Sequence, residues 1–328
     1  MTILVTGGSG FLGSHIIEQL SRAGRPVRAL VRRSSDTKFL RTLANVELFD
    51  GAIDDRSSLD RAVAGVEAVV HSAGLVKARN LDEFMRVNAR GTENLLEACL
   101  PFKDSLKRFV QVSSIAVGGP SDAYGNPVAV DSTPRPVTDY GRSKLAAERA
   151  ALAKKDQLKI TVIRPPAIYG PRDREILAFF KSIKMGVLPL LGSPQSKLSM
   201  TYGPDCARAC VSAIDADVPS GSIFAVDDGA VHTMAELISE AESAIGKRAF
   251  LRIPLPKRVV LGAAFMSESY GKLTNRAMML TRDKCNELFD QWVCDGADAR
   301  RDLNWSPSVS FSQGVKQTVD WYRNAGWL

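Results

Sequence analysis

Tyr140 and Lys144 stand four residues apart in the run Tyr140-Gly141-Arg142-Ser143-Lys144. Residues at i and i+4 share one face of a helix, so a phenol and an ammonium at this spacing can point into the same site. A lysine charge beside a tyrosine favours the phenolate and lowers its pKa, which makes Tyr140 a candidate general acid or base near neutral pH. The spacing alone recurs by chance and gains weight only from what surrounds it. Gly7, Gly10 and Gly13 form a GxxGxxG run directly after the apolar Ile3–Val5 and ahead of a helical pattern over Phe11–Ala23. The first glycine permits a tight turn, the second lets backbone approach a pyrophosphate, and the third allows close helix–strand packing. The free N–H groups and positive dipole end of the helix would then hold the anion.

The next apolar run ends in Leu30-Val31-Arg32-Arg33. An NAD site places Asp or Glu here for the ribose hydroxyls, whereas Arg accommodates the 2′-phosphate of NADP. Arg32, with Arg33, Ser34 and Ser35 as further donors, therefore predicts NADP as the preferred cofactor and NAD as the alternative. Arg22, Arg25 and Arg28 read as ordinary surface charges.

These side chains need a scaffold, and the chain's rhythm supplies one. Ile3–Val5, Val27–Val31, Val46–Phe49, Ala68–His71, Phe109–Val112 and Ile160–Ile163 are short and rich in Val and Ile, as buried parallel strands are. Helical spacing fills Phe11–Ala23, Leu59–Ala64, Leu81–Leu100 and Ser143–Lys154 between them. The alternation predicts an α/β fold, a doubly wound parallel sheet of Rossmann type with helices on both faces. Residues 1–170 read as its dinucleotide-binding domain, with a returning segment near 200–230, and 171–328 as a smaller, partly interleaved substrate domain. In the second half a strand over Ser222–Val226, a helix over Thr233–Ile245 opened by a Thr233/Glu236 capping box, and helices over Arg282–Trp292 and Gln313–Tyr322 are expected, with Phe250–Leu280 irregular.

Forty-three Lys and Arg against thirty-six Asp and Glu give a net charge of +7. Residues 1–41 hold seven basic residues against Glu18 and Asp36, while the other 287 are nearly balanced in total. Nothing in this pattern resembles a basic groove for nucleic acid. Five cysteines, an odd number without a CxxC pair, and three histidines remote from them argue against a metal site and for reduced thiols in a cytoplasmic setting. No stretch is long enough to span a membrane. His15 reads as a packing residue, His71 as lying near the cofactor without reacting, and Cys206 with Cys210 as small core residues. Tyr169 and Tyr202 are expected to line the substrate space. Met185, Leu188, Leu190, Leu191, Phe265, Met266, Tyr270, Met278 and Met279 should cover the pocket and favour a largely apolar substrate.

The motifs TGGSGFLG at 6–13, VVHSAG at 69–74, VNARGTENLLEA at 87–98, VQVSSIAVGG at 110–119, YGRSK at 140–144 and RPPAIYGP at 164–171 occur in one order. In these the chain resembles the extended short-chain dehydrogenase/reductase superfamily of NAD(P)-dependent epimerases, dehydratases and reductases. The resemblance implies that Ser114, or Ser113 beside it, orients the substrate oxygen, and that Tyr140 transfers the proton. Lys144 would hold the nicotinamide ribose, and Asn88 would support a water relay. It implies cofactor contacts from Gly7, Gly10, Phe11, Leu12, Gly13, Ser72, Ala73, Gly74, Pro165 and Ala167, and a homodimer through the helices of Leu81–Leu100 and Ser143–Lys154.

Several positions depart from the superfamily's commoner pattern. Gly51-Ala52 replaces a Gly-Asp pair that meets the adenine, leaving Asp54 or backbone for that task, while Ala167 and Gly118 replace an Asn and a Tyr. These changes move the resemblance toward the reductases that include hydroxysteroid dehydrogenases and dihydroflavonol reductases. The expected activity is interconversion of a ketone and a secondary alcohol. A nucleotide-sugar epimerase or dehydratase, with Arg172, Arg174, Arg208 and Arg276 as diphosphate ligands, is the first alternative, and a non-catalytic dinucleotide sensor the second.

Overall fold

In the computed structural model, which describes residues 2–278 and 280–328, the short Val- and Ile-rich runs are parallel strands. They are β1 (Thr2–Thr6), β2 (Val27–Val31), β3 (Val46–Asp50), β4 (Val66–His71), β5 (Arg108–Val112) and β6 (Ile160–Arg164). With Ser222–Ala225 they form a seven-stranded sheet in the order Ser222–Ala225, β6, β5, β4, β1, β2, β3. Every neighbouring pair is parallel. Both faces are covered, so β5 and β6 are buried at every residue, including the polar Arg108, Gln111, Thr161 and Arg164, and show no polar–apolar alternation between two faces.

Successive side chains of β1 enter opposite layers. Ile3 and Val5 join α1 (Phe11–Arg22) and the helix Gly203–Asp215, where Cys206 and Cys210 are buried. Leu4 joins the opposite layer of α2 (Arg56–Val63), α4 (Gly91–Cys99) and α5 (Asp139–Leu152), contributed by Leu59, Leu95 and Ala151, and α3 (Leu81–Phe84) packs on α5. The strand order reverses between β1 and β4, the place where a doubly wound sheet opens a crevice at its carboxyl edge. The helix expected over Leu81–Leu100 is interrupted by a π-helical turn, Met85–Arg90, between α3 and α4.

Helices Leu177–Met185, Met234–Ile245 and Phe311–Asn324 enclose a separate core around Phe180, Ile183, Leu188 and Tyr322. The Thr233/Glu236 capping box is formed. Tyr169 and Tyr202 belong to this core instead of the substrate space. Strands Ala167–Tyr169 and Met200–Tyr202 pair with the two tyrosines in register, and Tyr169 lies 5.6 Å from the Tyr202 ring and 5.4 Å from Phe311.

The stretch expected to be irregular holds a strand, Leu251–Leu255, paired with Val187–Leu191, and an 18-residue helix, Lys257–Thr274. That helix packs on Arg282–Phe289 through Val260, Ala264 and Cys285. Met279 lies outside the described residues. Among the described residues no helix is long and apolar enough to cross a membrane, and no cluster of three metal-ligating side chains occurs.

Candidate active site

The carboxyl ends of β1, β4, β5 and β6 converge on one crevice. Gly7 after β1 has φ +72°, and a Cβ there would lie 2.7 Å from the Ala73 nitrogen. A Cβ on Gly13 would lie 2.1 Å from the Gly7 carbonyl oxygen. Only glycine lets the loop, α1 and the Ser72–Ala73 segment approach this closely. Gly10 caps α1 without a side-chain hydrogen bond, so the N–H groups of the first turn, beginning with Phe11 and Leu12, meet no capping side chain. A glycine cradle at a helix N-terminus fits a pyrophosphate.

His71 closes β4. Its Nδ1 bonds Thr6 Oγ1 at 2.6 Å and its Nε2 bonds Thr92 Oγ1 at 2.9 Å, tying β1 to α4 beneath the crevice. Burial, reinforced by the Lys144 charge, pulls its pKa down to about 3, so the ring stays neutral. Next to it, Gly74 brings the chain beside Asn88 Oδ1 and Lys144 Nζ; a Cβ there would lie 3.1 and 3.8 Å from them.

Asn88 sits in the π turn. Its Oδ1 accepts from the Leu75 nitrogen at 2.7 Å, and its Nδ2 donates to the Leu75 carbonyl at 3.0 Å and to Ser143 Oγ at 2.8 Å. The side chain therefore clamps the Gly74–Leu75 loop to α5. The π turn is a known device at functional sites, and here it brings Asn88 to this loop.

Thr138 caps α5 by accepting from the Gly141 nitrogen, fixing the turn that presents Tyr140. The Tyr140 ring meets Phe84 edge-on at 6.2 Å. Burial pushes the phenol up to about 12, with the neighbouring Ser114 side chain pulling the other way. The expected depression of this pKa by Lys144 does not appear. Lys144 is buried beneath, donates to the Val112 carbonyl at 2.6 Å, and is itself brought down to about 8 by burial, so desolvation of both groups dominates.

The serine pair separates into two directions. Ser114 faces Tyr140, whereas Ser113 donates to Glu148 Oε2 at 2.7 Å. Glu148 also receives both Arg164 Nη2 and Nε, at 2.5 and 3.0 Å, and Arg164 donates to the Val130 carbonyl. This buried ion pair beneath the crevice was missed in the sequence, although Glu148 follows Lys144 by four residues and repeats the Tyr140–Lys144 step. Pro165 after β6 accepts from the Ile115 nitrogen at 3.1 Å, so the β5 and β6 ends move as one. Ala167 is exposed at the start of its strand.

The cofactor-class residues at the other side of the crevice are solvent-facing. Arg32 is exposed after β2, its nitrogen donating to Ser35 Oγ, while Arg33 turns away to pair with Asp50 at 2.6 Å. Asp54 lies on the exposed turn between β3 and α2, 3.9 Å from Arg86. Arg25 and Arg28 are paired with carboxylates on neighbouring elements. Three of the four arginines considered as diphosphate ligands serve the fold: Arg172 bonds Ser14, His15 and Glu18, Arg208 bonds Asp205, and Arg174 lies over Trp327.

A glycine cradle beside a Ser–Tyr–Lys cluster defines a dinucleotide-dependent enzyme site on a Rossmann sheet. Residues 3–226 match the NAD dependent epimerase/dehydratase family, and the chain belongs to it. It is similar, at 34% identity covering 99% of this chain and 96% of the relative, to the ceramide reductase of Caulobacter vibrioides. It is also 27% identical to the UDP-glucose 4-epimerase of Vibrio cholerae, over 99% of this chain and 96% of that protein. In fold it is similar to UDP-glucuronic acid 4-epimerase of Bacillus cereus in complex with NAD, with TM-score 0.80, 22% identity and all of both chains covered. The chain is an NAD(P)-dependent enzyme of the extended short-chain dehydrogenase/reductase type.

Proposed function

We propose that this enzyme reduces a ketone on a largely apolar substrate to a secondary alcohol, with NADPH as the preferred reductant. The placement of the Ser114 side chain beside the Tyr140 phenol carries this reading, because two hydroxyls can then meet one carbonyl oxygen. With its pKa pushed up by burial, the phenol is protonated at neutral pH, as a proton donor to a carbonyl oxygen must be. Ser114 orients that oxygen. Lys144, Gly7, Gly10, Phe11, Leu12, Gly13 and the Ser72–Gly74 segment would hold the dinucleotide, with Pro165 and Ala167 at its nicotinamide end. When bound, the nicotinamide supplies the hydride. Asn88 acts here as a positioning residue, since its donors and acceptor are taken by Leu75 and Ser143.

The commitment of Arg172, Arg174 and Arg208 to internal contacts favours an apolar carbonyl compound over a nucleotide sugar. The similarity to a ceramide reductase supports the same choice. Arg32, exposed where a ribose-binding carboxylate would stand, supports the 2′-phosphate. Initial rates on long-chain ketones and on UDP-sugars, with NADPH and NADH side by side, test the reading. Oxidation of NADPH with ketones only is expected, and Arg32→Ala should raise the NADPH KM about tenfold, the loss of one charge-assisted hydrogen bond, while sparing NADH. Turnover of UDP-sugars without net NADPH consumption would overturn it.

A further inference from the structure

The helix Lys257–Thr274 has a buried stripe and an apolar stripe opposite it. Val260, Ala264 and Gly271 face the molecule. On the other side Val259, Gly262, Met266, Tyr270 and Leu273 recur at steps of three and four residues, which places them on one face. Four of them are large and in solvent: Val259 57%, Met266 67%, Tyr270 52% and Leu273 87% exposed. A helix that only packs on its own protein would carry polar residues there. Phe250 and Met185 are exposed as well, with Phe250 resting on the Gly186 turn that follows Met185.

The segment that carries this face is basic. Residues 247–280 hold seven Lys and Arg against the single carboxylate Glu268, and Glu268 is taken by Arg282. Arg252 is paired with Glu242 from outside the segment. Arg258, Lys272 and Arg276 lie exposed along the apolar face. A second copy set against this surface would bring like charge to like charge, and a nucleic acid would leave the apolar stripe in water. Exposed apolar residues rimmed by cations match a membrane interface containing anionic lipid, in which a helix lies with its apolar side among the acyl chains and its cations at the head groups.

We propose that the face formed by helix Lys257–Thr274 docks on an anionic lipid bilayer, lying in its surface and not crossing it. The helix borders the active site. Its end, Asn275, accepts from Arg79 at 3.0 Å just ahead of α3, whose Phe84 meets Tyr140. The helix it packs on reaches the start of α5, where Asp283 accepts from the Asp139 nitrogen at 3.3 Å. Docking this face sets the mouth of the crevice at the lipid boundary. The proposal concerns the surface and does not rest on the reaction assigned above.

The test is co-sedimentation of the full chain with vesicles of phosphatidylcholine alone and of equimolar phosphatidylcholine and phosphatidylglycerol. Binding is expected to the mixed vesicles, at least about tenfold weaker to the neutral ones, and weakened by salt. The pair Met266→Asp with Leu273→Asp should abolish it, and Arg258→Glu with Lys272→Glu should reduce it about tenfold or more. All four residues are exposed, so thermal melts of both variants should match the parent, confirming that they fold. A parent chain left in the supernatant with both vesicle types overturns the proposal, as does equal binding by the Met266/Leu273 variant. Equal binding to neutral vesicles removes the anionic lipid. A parent dimer that this variant splits, without vesicle binding, assigns the face to a second copy and overturns it too.

Discussion

At the carboxyl edge of the sheet, Asn88, Lys144, Glu148 and Arg164 are buried, and each meets a partner at hydrogen-bond distance. On the helix Lys257–Thr274 the arrangement is inverted, with Met266 and Leu273 in solvent and lysines and arginines gathered without matching carboxylates. The contrast separates two kinds of surface. Groups that bond one another hold a geometry ready for a reaction, since a buried polar group left unpaired is costly. Apolar and charged groups left without partners belong to whatever the molecule will meet.

The largest expected effect is on the reaction. Tyr140→Phe should lower turnover by about 10²–10⁴-fold, the usual contribution of a positioned acid, with an unchanged melting temperature. Near-parental turnover on an identified substrate would remove Tyr140 from the acid's role. Glu148→Ala leaves Arg164 buried without its carboxylate and Ser113 without its acceptor. Denaturant titration should show a loss of about 3–5 kcal/mol, the cost of breaking a buried pair from one side. A loss near zero would mean that the edge is no more tightly organised than the helix Lys257–Thr274.

His71 gives a pH signature of the edge. Its pKa in the fold is about 3 against an ordinary 6.5, so between these values the unfolded chain binds a proton that the folded chain does not. Stability therefore rises with pH across that window, is complete above it, and falls on acidification by up to about 1.4 kcal/mol per pH unit. His71→Gln should flatten that slope in melts taken from pH 4 to 7. The smallest effect belongs to the helix Lys257–Thr274, where Met266→Ser should change stability by no more than about 0.5 kcal/mol. A much larger loss would show that this face packs against the chain itself.

The sheet and its crevice were legible because their signals are local. Strands buried on both faces leave short segments rich in Val and Ile, and the glycine cradle, Tyr140 and Lys144 lie within short motifs tied to single turns. The helix Lys257–Thr274 was hidden because its apolar residues occupy both sides, Val260 and Ala264 inward and Val259 and Met266 outward, which erases the amphipathic period. Pro254, Pro256, Gly262 and Gly271 also read as breakers. Its charge was concealed by summation, since a basic segment at 247–280 is offset by an acid excess elsewhere in the chain. Ser113 and Ser114 could be told apart only once Glu148, from a different element, lay beside one of them. The same holds for Tyr169 and Tyr202, whose burial depends on the pairing of two three-residue strands.

The π turn at Met85–Arg90 makes the molecule unusually sensitive to chain length at one point. A helical residue advances the chain by about 100° of rotation, so deleting a single residue there would restore an uninterrupted α-helical ladder and at the same time swing everything after it to a new heading. Asn88 would leave Leu75 and Ser143, or Leu95 and Leu96 would leave the core beneath the sheet. A one-residue deletion in this turn is therefore expected to do more harm than most substitutions within it.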